Sequence, residues 1–395
     1  MLSPAHSLWL GLPLALLAAA GLVYQCVVLH AVRRWFAQSC PRDRGTDAVT
    51  LLKPLHGSEP QLAANLATFL AQDHAGPVQM LCGVNSPEDA ALPVARTLAA
   101  SHPRADITLS PGPRAPGANG KVGNLVAMMR EARHPILVLS DSDIAVRPDY
   151  LAQVLGTLAR PGVGAVSCLY IGRGDAGLWS QVGAAALSYA TMPNMVLALN
   201  FGLSQPCMGS TIAIRRETLD AIGGFERFVD VLADDYAIGM AVAEQGLAVV
   251  VPPMLVTHAC EEPTFAALWR HHLRWMVTLR SIVGLQHLGT VVTHALPLAL
   301  LTIPFLPIPG LVLFALALAL RATIKARVDR IAGHATGPLH HLVLADVLSF
   351  FIFLASLTAR TIDWRGHRLT MAGNGLIRSR PDSPTRFPFP RLRTR

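Results

Sequence analysis

Hydrophobic residues in this chain follow two patterns. Long uninterrupted apolar stretches lie toward both ends, and short apolar runs alternate with amphipathic segments in the middle. Residues 8–32 are nearly free of charge and long enough to span a bilayer as one helix. Near the C-terminus, residues 287–306 and 307–320 are two apolar runs broken by Pro304, Pro307 and Pro309, and residues 340–357 are a third. The prolines predict a tight membrane hairpin; its second arm is short for a full span and predicts a re-entrant segment. Residues 48–52, 78–84, 107–109 and 136–139 read as buried strands, and 60–72, 92–100 and 124–133 have helical spacing. This alternation over residues 47–283, with no long apolar run among them, predicts an α/β domain with a mostly parallel sheet. Ligands of such sheets sit beyond the carboxyl ends of the strands.

Charge gives this layout a direction. No basic residue precedes the first apolar stretch, and Arg33, Arg34, Arg42 and Arg44 follow it. A signal peptide has its positive charge in front, so an uncleaved anchor is expected, with the N-terminus outside and the following domain cytoplasmic. Arg321, Lys325, Arg327 and Arg330 predict an inside loop after the hairpin. Beyond Leu376 six arginines against one aspartate give +5 (6 − 1), a basic tail (359–395) that also belongs inside. A single crossing by 340–357 would separate the two, so either it dips and returns or one earlier run does not cross. No apolar stretch carries an acid or base at its centre beyond His294, which disfavours a transporter.

Hydrophobic residues make up 52% of the 395 and charged residues 15%, too apolar for an ordinary soluble domain. The net charge of +8 lies largely in the tail, which suits anionic lipid head groups. No basic patch outside it is interleaved with aromatics, so nucleic acid is not an expected partner. The six cysteines lack CxxC spacing and read as free thiols. Neither GxGxxG after the first strand nor GxxxxGK[ST] is present, nor HExxH, which disfavours a dinucleotide-dependent dehydrogenase, a P-loop ATPase and a zinc site.

Three acidic or basic groups remain. Asp141 and Asp143 follow the strand at 136–139, where two carboxylates at i and i+2 can share Mg²⁺ or Mn²⁺ with a diphosphate. Asp234 and Asp235 precede a helix and can supply a general base that takes the proton from an attacking hydroxyl. His271, Arg274 and Trp275 lie on an amphipathic helix, with Arg274 suited to a diphosphate and Trp275 to an acceptor-site wall. Lys53 stands at a strand end, Lys121 follows a Pro/Gly-rich loop as a point charge for phosphate, and His258 is a candidate third metal ligand.

These residues resemble the family 2 glycosyltransferases of GT-A fold, in the ceramide glucosyltransferase branch. The likeness rests on residues 51–60, Lys121 to Leu125, Ser140 to Ile144 with Pro148 to Leu151, Gly209-Ser210, Ala233 to Tyr236 and Arg274-Trp275, and returns at Trp364-Arg365-Gly366. It implies a Rossmann-like, mixed and mostly parallel sheet with terminal transmembrane helices. It implies that Asp141 and Asp143 hold metal and nucleotide-sugar, that Asp235 is the base with Asp234 second, and that Asp89 or Glu88 binds the nucleotide. His271 stands where the family has Gln or Arg. With His367 to Thr370 it is more similar to bacterial hopanoid-associated glycosyltransferases, implying a hopanoid acceptor first and ceramide second. The function expected is inverting transfer of N-acetylglucosamine or glucose from a UDP-sugar to a membrane lipid, at the bacterial inner membrane. The alternatives are a processive polysaccharide synthase and a non-catalytic scaffold with a degenerate transferase domain.

Overall fold

The computed structural model describes residues 4–379 apart from 44, 58, 203–206, 360, 365–366 and 373–375, and side chains over 8–361 with the same gaps. The chain begins with one long helix, α1 (Pro4–Trp35). It continues through β1 (Val49–Pro54), α2 (Leu62–Leu70), β2 (Val78–Gly83), α3 (Ala91–Ser101), β3 (Asp106–Ser110), α4 (Gly120–Met128) and β4 (Ile136–Leu139). Then come β5 (Ile144–Ala145), α5 (Tyr150–Leu158), β6 (Val163–Ser167), β7 (Leu169–Gly174), α6 (Leu178–Ala186) and α7 (Met192–Asn200). The domain closes with β8 (Ile212–Arg215), α8 (Arg216–Ala221), α9 (Asp234–Glu244), β9 (Ala248–Val250) and β10 (Leu255–Cys260).

Seven strands form the main sheet in the order β3-β2-β1-β4-β8-β6-β9. The first four are parallel, β8 is antiparallel to both its neighbours, and β6 and β9 are parallel. This is the GT-A type α/β sheet expected, mixed and mostly parallel. β1 and β4 are buried along their whole length, as strands covered on both faces must be. Leu62, Leu66, Phe69, Leu92 and Tyr150 from α2, α3 and α5 pack on one face, and Val122, Leu125, Leu219 and Ile238 from α4, α8 and α9 on the other. A smaller sheet, β5-β10-β7, stands beside it, with Ile144 opposite His258 and Ala145 opposite Thr257.

Beyond β10 the chain forms α10 (Phe265–Val283), a 3₁₀ stretch (Gly284–His294), α11 (Ala295–Thr302), α12 (Pro307–Ala332) and α13 (Leu339–Thr358). A three-stranded antiparallel meander follows: β11 (Thr361–Trp364), β12 (His367–Ala372) and β13 (Leu376–Ser379). Most of the arginine-rich stretch, from residue 380 on, and Arg365-Gly366 lie outside the described residues.

Five helical segments among the described residues are long and apolar enough to cross a membrane: Leu8–Trp35, Leu178–Asn200, Phe265–Thr302, Pro307–Ala332 and Leu339–Thr358. The proline break between α11 and α12 is a tight turn, in which Phe305 and Leu306 N–H groups donate to Thr302 O. Three expectations need correction. Leu178–Asn200 lies inside the supposedly span-free middle. Gln181, Ser188 and Asn194 interrupt its apolar count, but Val182, Ala185, Tyr189 and Val196 pack against Val28 and Val32 of α1, Ile324 and Val328 of α12 and Leu342 of α13. The second hairpin arm does not stop at Leu320, and no loop holds Arg321 to Arg330. α12 runs on because its charges are satisfied: Arg321 donates to both Asp346 oxygens at 2.7 Å and to Tyr189 O at 2.5 Å, and Lys325 meets Asp329 at 2.5 Å. Asp346, on α13, also means that His294 is not the sole ionisable group within the apolar segments. Tyr189 sits in a π turn, Leu187–Thr191, that joins α6 to α7.

Candidate active site

The site begins where β4 ends. Ser140 N–H donates to Leu52 O at 3.1 Å, keeping the chain beside β1 for one more residue, and a turn closed by Ile144 N–H on Asp141 O at 3.3 Å presents Asp141 and Asp143. Lys53 supports this turn from within the fold. It is fully buried, its Nζ donating to Ser140 Oγ at 3.1 Å and to Asp141 O at 2.9 Å, 3.4 Å above the Phe69 ring. Burial pulls its pKa down to about 7, against the pull of Asp141 and Asp143. So placed, Lys53 braces the turn that carries Asp141 and Asp143.

Lys121 approaches from the start of α4. Asn119 caps that helix, accepting from Lys121 N–H at 3.0 Å and Val122 N–H at 3.2 Å while its own amide donates to Asp234 Oδ1 at 3.2 Å. Lys121 Nζ then reaches Asp141 Oδ1 at 2.5 Å and Asp234 Oδ2 at 3.8 Å. Burial opposes its charge, but Asp141 and Asp234 outweigh burial and hold its pKa above the ordinary lysine value.

Asp234 and Asp235 form the first turn of α9, where exposed N–H groups and the helix dipole favour negative charge. Asp235 accepts from Gly209 N–H at 3.0 Å and Tyr236 N–H at 2.8 Å. Burial, then the neighbouring Asp234, pushes its pKa up to about 6. Gly209 lies at the centre of this group. A Cβ there would stand 2.9 Å from Asp141 Oδ2, 3.2 Å from Lys121 Nζ and 3.7 Å from Asp235 Oδ2, so only glycine fits without displacing a charged side chain.

The opposite wall comes from β10 and α10. His258 Nε2 is 3.3 Å from Asp143 Oδ2. Burial raises the pKa of Asp143, with His258 opposing it, and Asp143 Oδ1 is buried without a hydrogen-bond partner. Trp275 stands next, its ring centroid 6.2 Å from that of His258 and 4.3 Å from His271, with His272 stacked at 5.6 Å. Half-buried Arg274 precedes it. Glu262 is the partner that the sequence did not reveal. Its Oε1 binds His271 Nδ1, and although burial opposes the charge, that bond and the imidazole pull its pKa down to about 2.

The structure thus brings Asp141, Asp143, Lys121, Asp234, Asp235 and His258 together, with Trp275 and His271 along one side. Asp89 is engaged elsewhere. One oxygen accepts from Gly57 N–H at 2.8 Å and Ala91 N–H at 2.9 Å, and the other faces His56 at 3.2 Å, so it ties the loop after β1 to the start of α3. Asp141, Asp143 and His258 do not form a ready-made metal cage; no group of three His, Cys, Asp or Glu among the described residues is arranged to hold an ion. Two carboxylates with one unpartnered buried oxygen suit instead an ion that completes its shell with substrate oxygens.

A family model described as glycosyl transferase family 21 matches residues 13–377, nearly the whole chain. The chain belongs to that family. It is a glycosyltransferase of the ceramide glucosyltransferase branch. It is 24% identical to ceramide glucosyltransferase 1 of Caenorhabditis elegans over 93% of this chain and 83% of the relative. It is 22% identical to ceramide glucosyltransferase 3 of the same organism over 85% and 75%. Among solved structures it is similar to the mannosyltransferase PcManGT from Pyrobaculum calidifontis, in complex with GDP-Man and Mn²⁺, with 21% identity, a TM-score of 0.47 and coverage of 87% of this chain and 99% of that one. The family carries the number 21 where the sequence resemblance was framed as family 2; the branch is the same.

Proposed function

We propose that this protein transfers a hexose from a UDP-sugar to the hydroxyl of a membrane lipid, with inversion at the anomeric carbon. The observation that carries this reading is the convergence of Asp141, Lys121 and Asp235 around Gly209, facing a helix continuous with an apolar segment long enough to span a membrane. Asp141 and Asp143 would hold Mg²⁺ or Mn²⁺, which when bound neutralises the leaving diphosphate. Lys121 holds Asp141 beside Asp234 and adds positive charge beside the same phosphates. Asp235 accepts the proton of the acceptor hydroxyl, and its raised pKa makes it a stronger base than a solvated aspartate. A single base and direct attack give inversion. Trp275 and His271 form the acceptor wall, and Arg274 adds a cation on the diphosphate side. The domain faces the cytoplasm of a bacterial inner membrane in this reading.

His271 favours a hopanoid acceptor, and the curated relatives, by their names, favour ceramide. Incubating the full chain in membranes with UDP-N-acetylglucosamine or UDP-glucose and each lipid, with mass spectrometry of the lipid extract, separates these. The expected result is one hexose or N-acetylhexosamine added to one lipid class. A polymer product, or no transfer with any lipid, would overturn the reading.

A further inference from the structure

Behind the β5–β10 ribbon lies a cavity of about 310 Å³, within the range of small-molecule pockets, roughly 300–1,000 Å³. Thr257 and Ala145 form its ribbon wall. They are the residues next to His258 and Ile144, and successive strand residues point to opposite faces, so the cavity and the catalytic group lie on opposite sides of one ribbon. Its other walls come from Phe36, just past α1, and from Ile331 and His334, where α12 ends. Two helices long and apolar enough to cross a bilayer end here together, so the cavity lies past their apolar stretches, on the side of the flanking basic residues.

Its polar lining is cationic. Arg42 and Arg147 converge on Asp149, at 3.0 Å and 3.6 Å, so two guanidinium groups share one carboxylate and keep one positive charge (2 − 1). Exposed Arg33 and Arg34 in the last turn of α1 and Arg330 in that of α12 add to the field around it. Paired guanidinium groups suit the planar, bidentate recognition of a phosphate. Basic pockets where helices leave the bilayer suit anionic lipid. We propose that this cavity binds the phosphate head group of an anionic phospholipid, and that its occupancy braces the ribbon that carries His258 against Asp143. A free phosphate shares the charge but leaves the apolar wall of Phe36 and Ile331 unused. The bracing rests on the catalytic reading above; the binding does not.

Native mass spectrometry of the full chain in phosphatidylcholine nanodiscs, with and without phosphatidylglycerol, reads the binding without turnover. The wild type retains phosphatidylglycerol, and the R42Q/R147Q variant retains roughly 30-fold less, the scale of two interfacial arginines. R147Q alone shows a partial loss and serves if the double variant fails to fold. In transfer assays, phosphatidylglycerol lowers the donor KM of the wild type and leaves that of the variant unchanged. Equal retention by variant and wild type overturns the site. Displacement of the lipid by millimolar inorganic phosphate overturns the lipid as its occupant. Retention without an effect on donor KM overturns the bracing.

Discussion

Lys121 Nζ lies 2.5 Å from Asp141 Oδ1, and the same ammonium is 3.8 Å from Asp234 Oδ2. One cation therefore joins the acid after β4 to the acid that opens α9, two elements far apart in sequence. Replacing it with methionine leaves half-buried Asp141 and buried Asp234 without the cation between them. The expected loss in kcat/KM is roughly 10- to 100-fold, the scale of one charge-assisted hydrogen bond. Steady-state kinetics with varied donor would show it as a raised donor KM. Wild-type donor KM in Lys121→Met would refute the bridging role.

Asp235 must be ionised to act as a base. With its pKa pushed up to about 6, transfer falls as the pH drops through about 6, because the protonated acid cannot accept a proton. Asp234→Asn removes the neighbouring negative charge, so the acid limb of the profile moves to lower pH. Asp235→Asn lowers kcat by roughly 10²- to 10⁴-fold while calorimetry still detects donor binding. An unchanged kcat in that variant would assign the base elsewhere.

Glu262 orients His271, so Glu262→Gln acts on the acceptor side. The expected signature is a raised acceptor KM with donor KM within about twofold, on the scale of one weakened charge-assisted contact. The stability effect has a definite sign. A carboxyl held at about 2, below its usual 4.5, contributes stability that is complete above 4.5 and is lost as the pH falls toward about 2. Thermal unfolding from pH 6 down to pH 3 therefore separates wild type from variant less and less as the pH drops.

Arg321 and Asp346 join α12 to α13 through two bonds of 2.7 Å in a buried setting. Arg321→Ala leaves an unpaired buried carboxylate and costs about 3–5 kcal/mol, whereas R321M/D346L, which removes both charges, recovers most of it. Unfolding in detergent, followed by helical circular dichroism, measures both. Equal destabilisation by the two variants would show that the pair does more than neutralise charge.

The clustered acids were legible as candidates because they stand next to strong local signals. Asp141 and Asp143 follow a fully buried strand, and Asp234-Asp235 open a helix. Lys53, expected at a strand end, lies deeper than the pattern indicates: β1 continues past Leu52 to Pro54, and its pairing with Cys82 carries Lys53 into the core. Glu262 stayed hidden because its bond to His271 spans a turn between β10 and α10 that no local pattern announces. Gly209 was visible as part of a motif, but its role depends on three side chains from three distant segments. The long apolar helix Leu178–Asn200 escaped notice because the polar residues that interrupt it find partners only in the folded protein, as Ser188 does with Gly172 N–H and Thr336.

That helix has a consequence for how the molecule can be divided. α6 leans on β7 of the catalytic domain with one side and on α13 with the other, while α7 lies against α1. A fragment cut at the ends of the α/β domain would keep the helix and lose its cover, exposing Val182, Met192 and Val196 to water. Transferase and membrane part meet across this inner surface. The smallest piece that folds is expected to include the helices on both flanks, and an exchange of membrane segments between relatives would have to carry Leu178–Asn200 along with them.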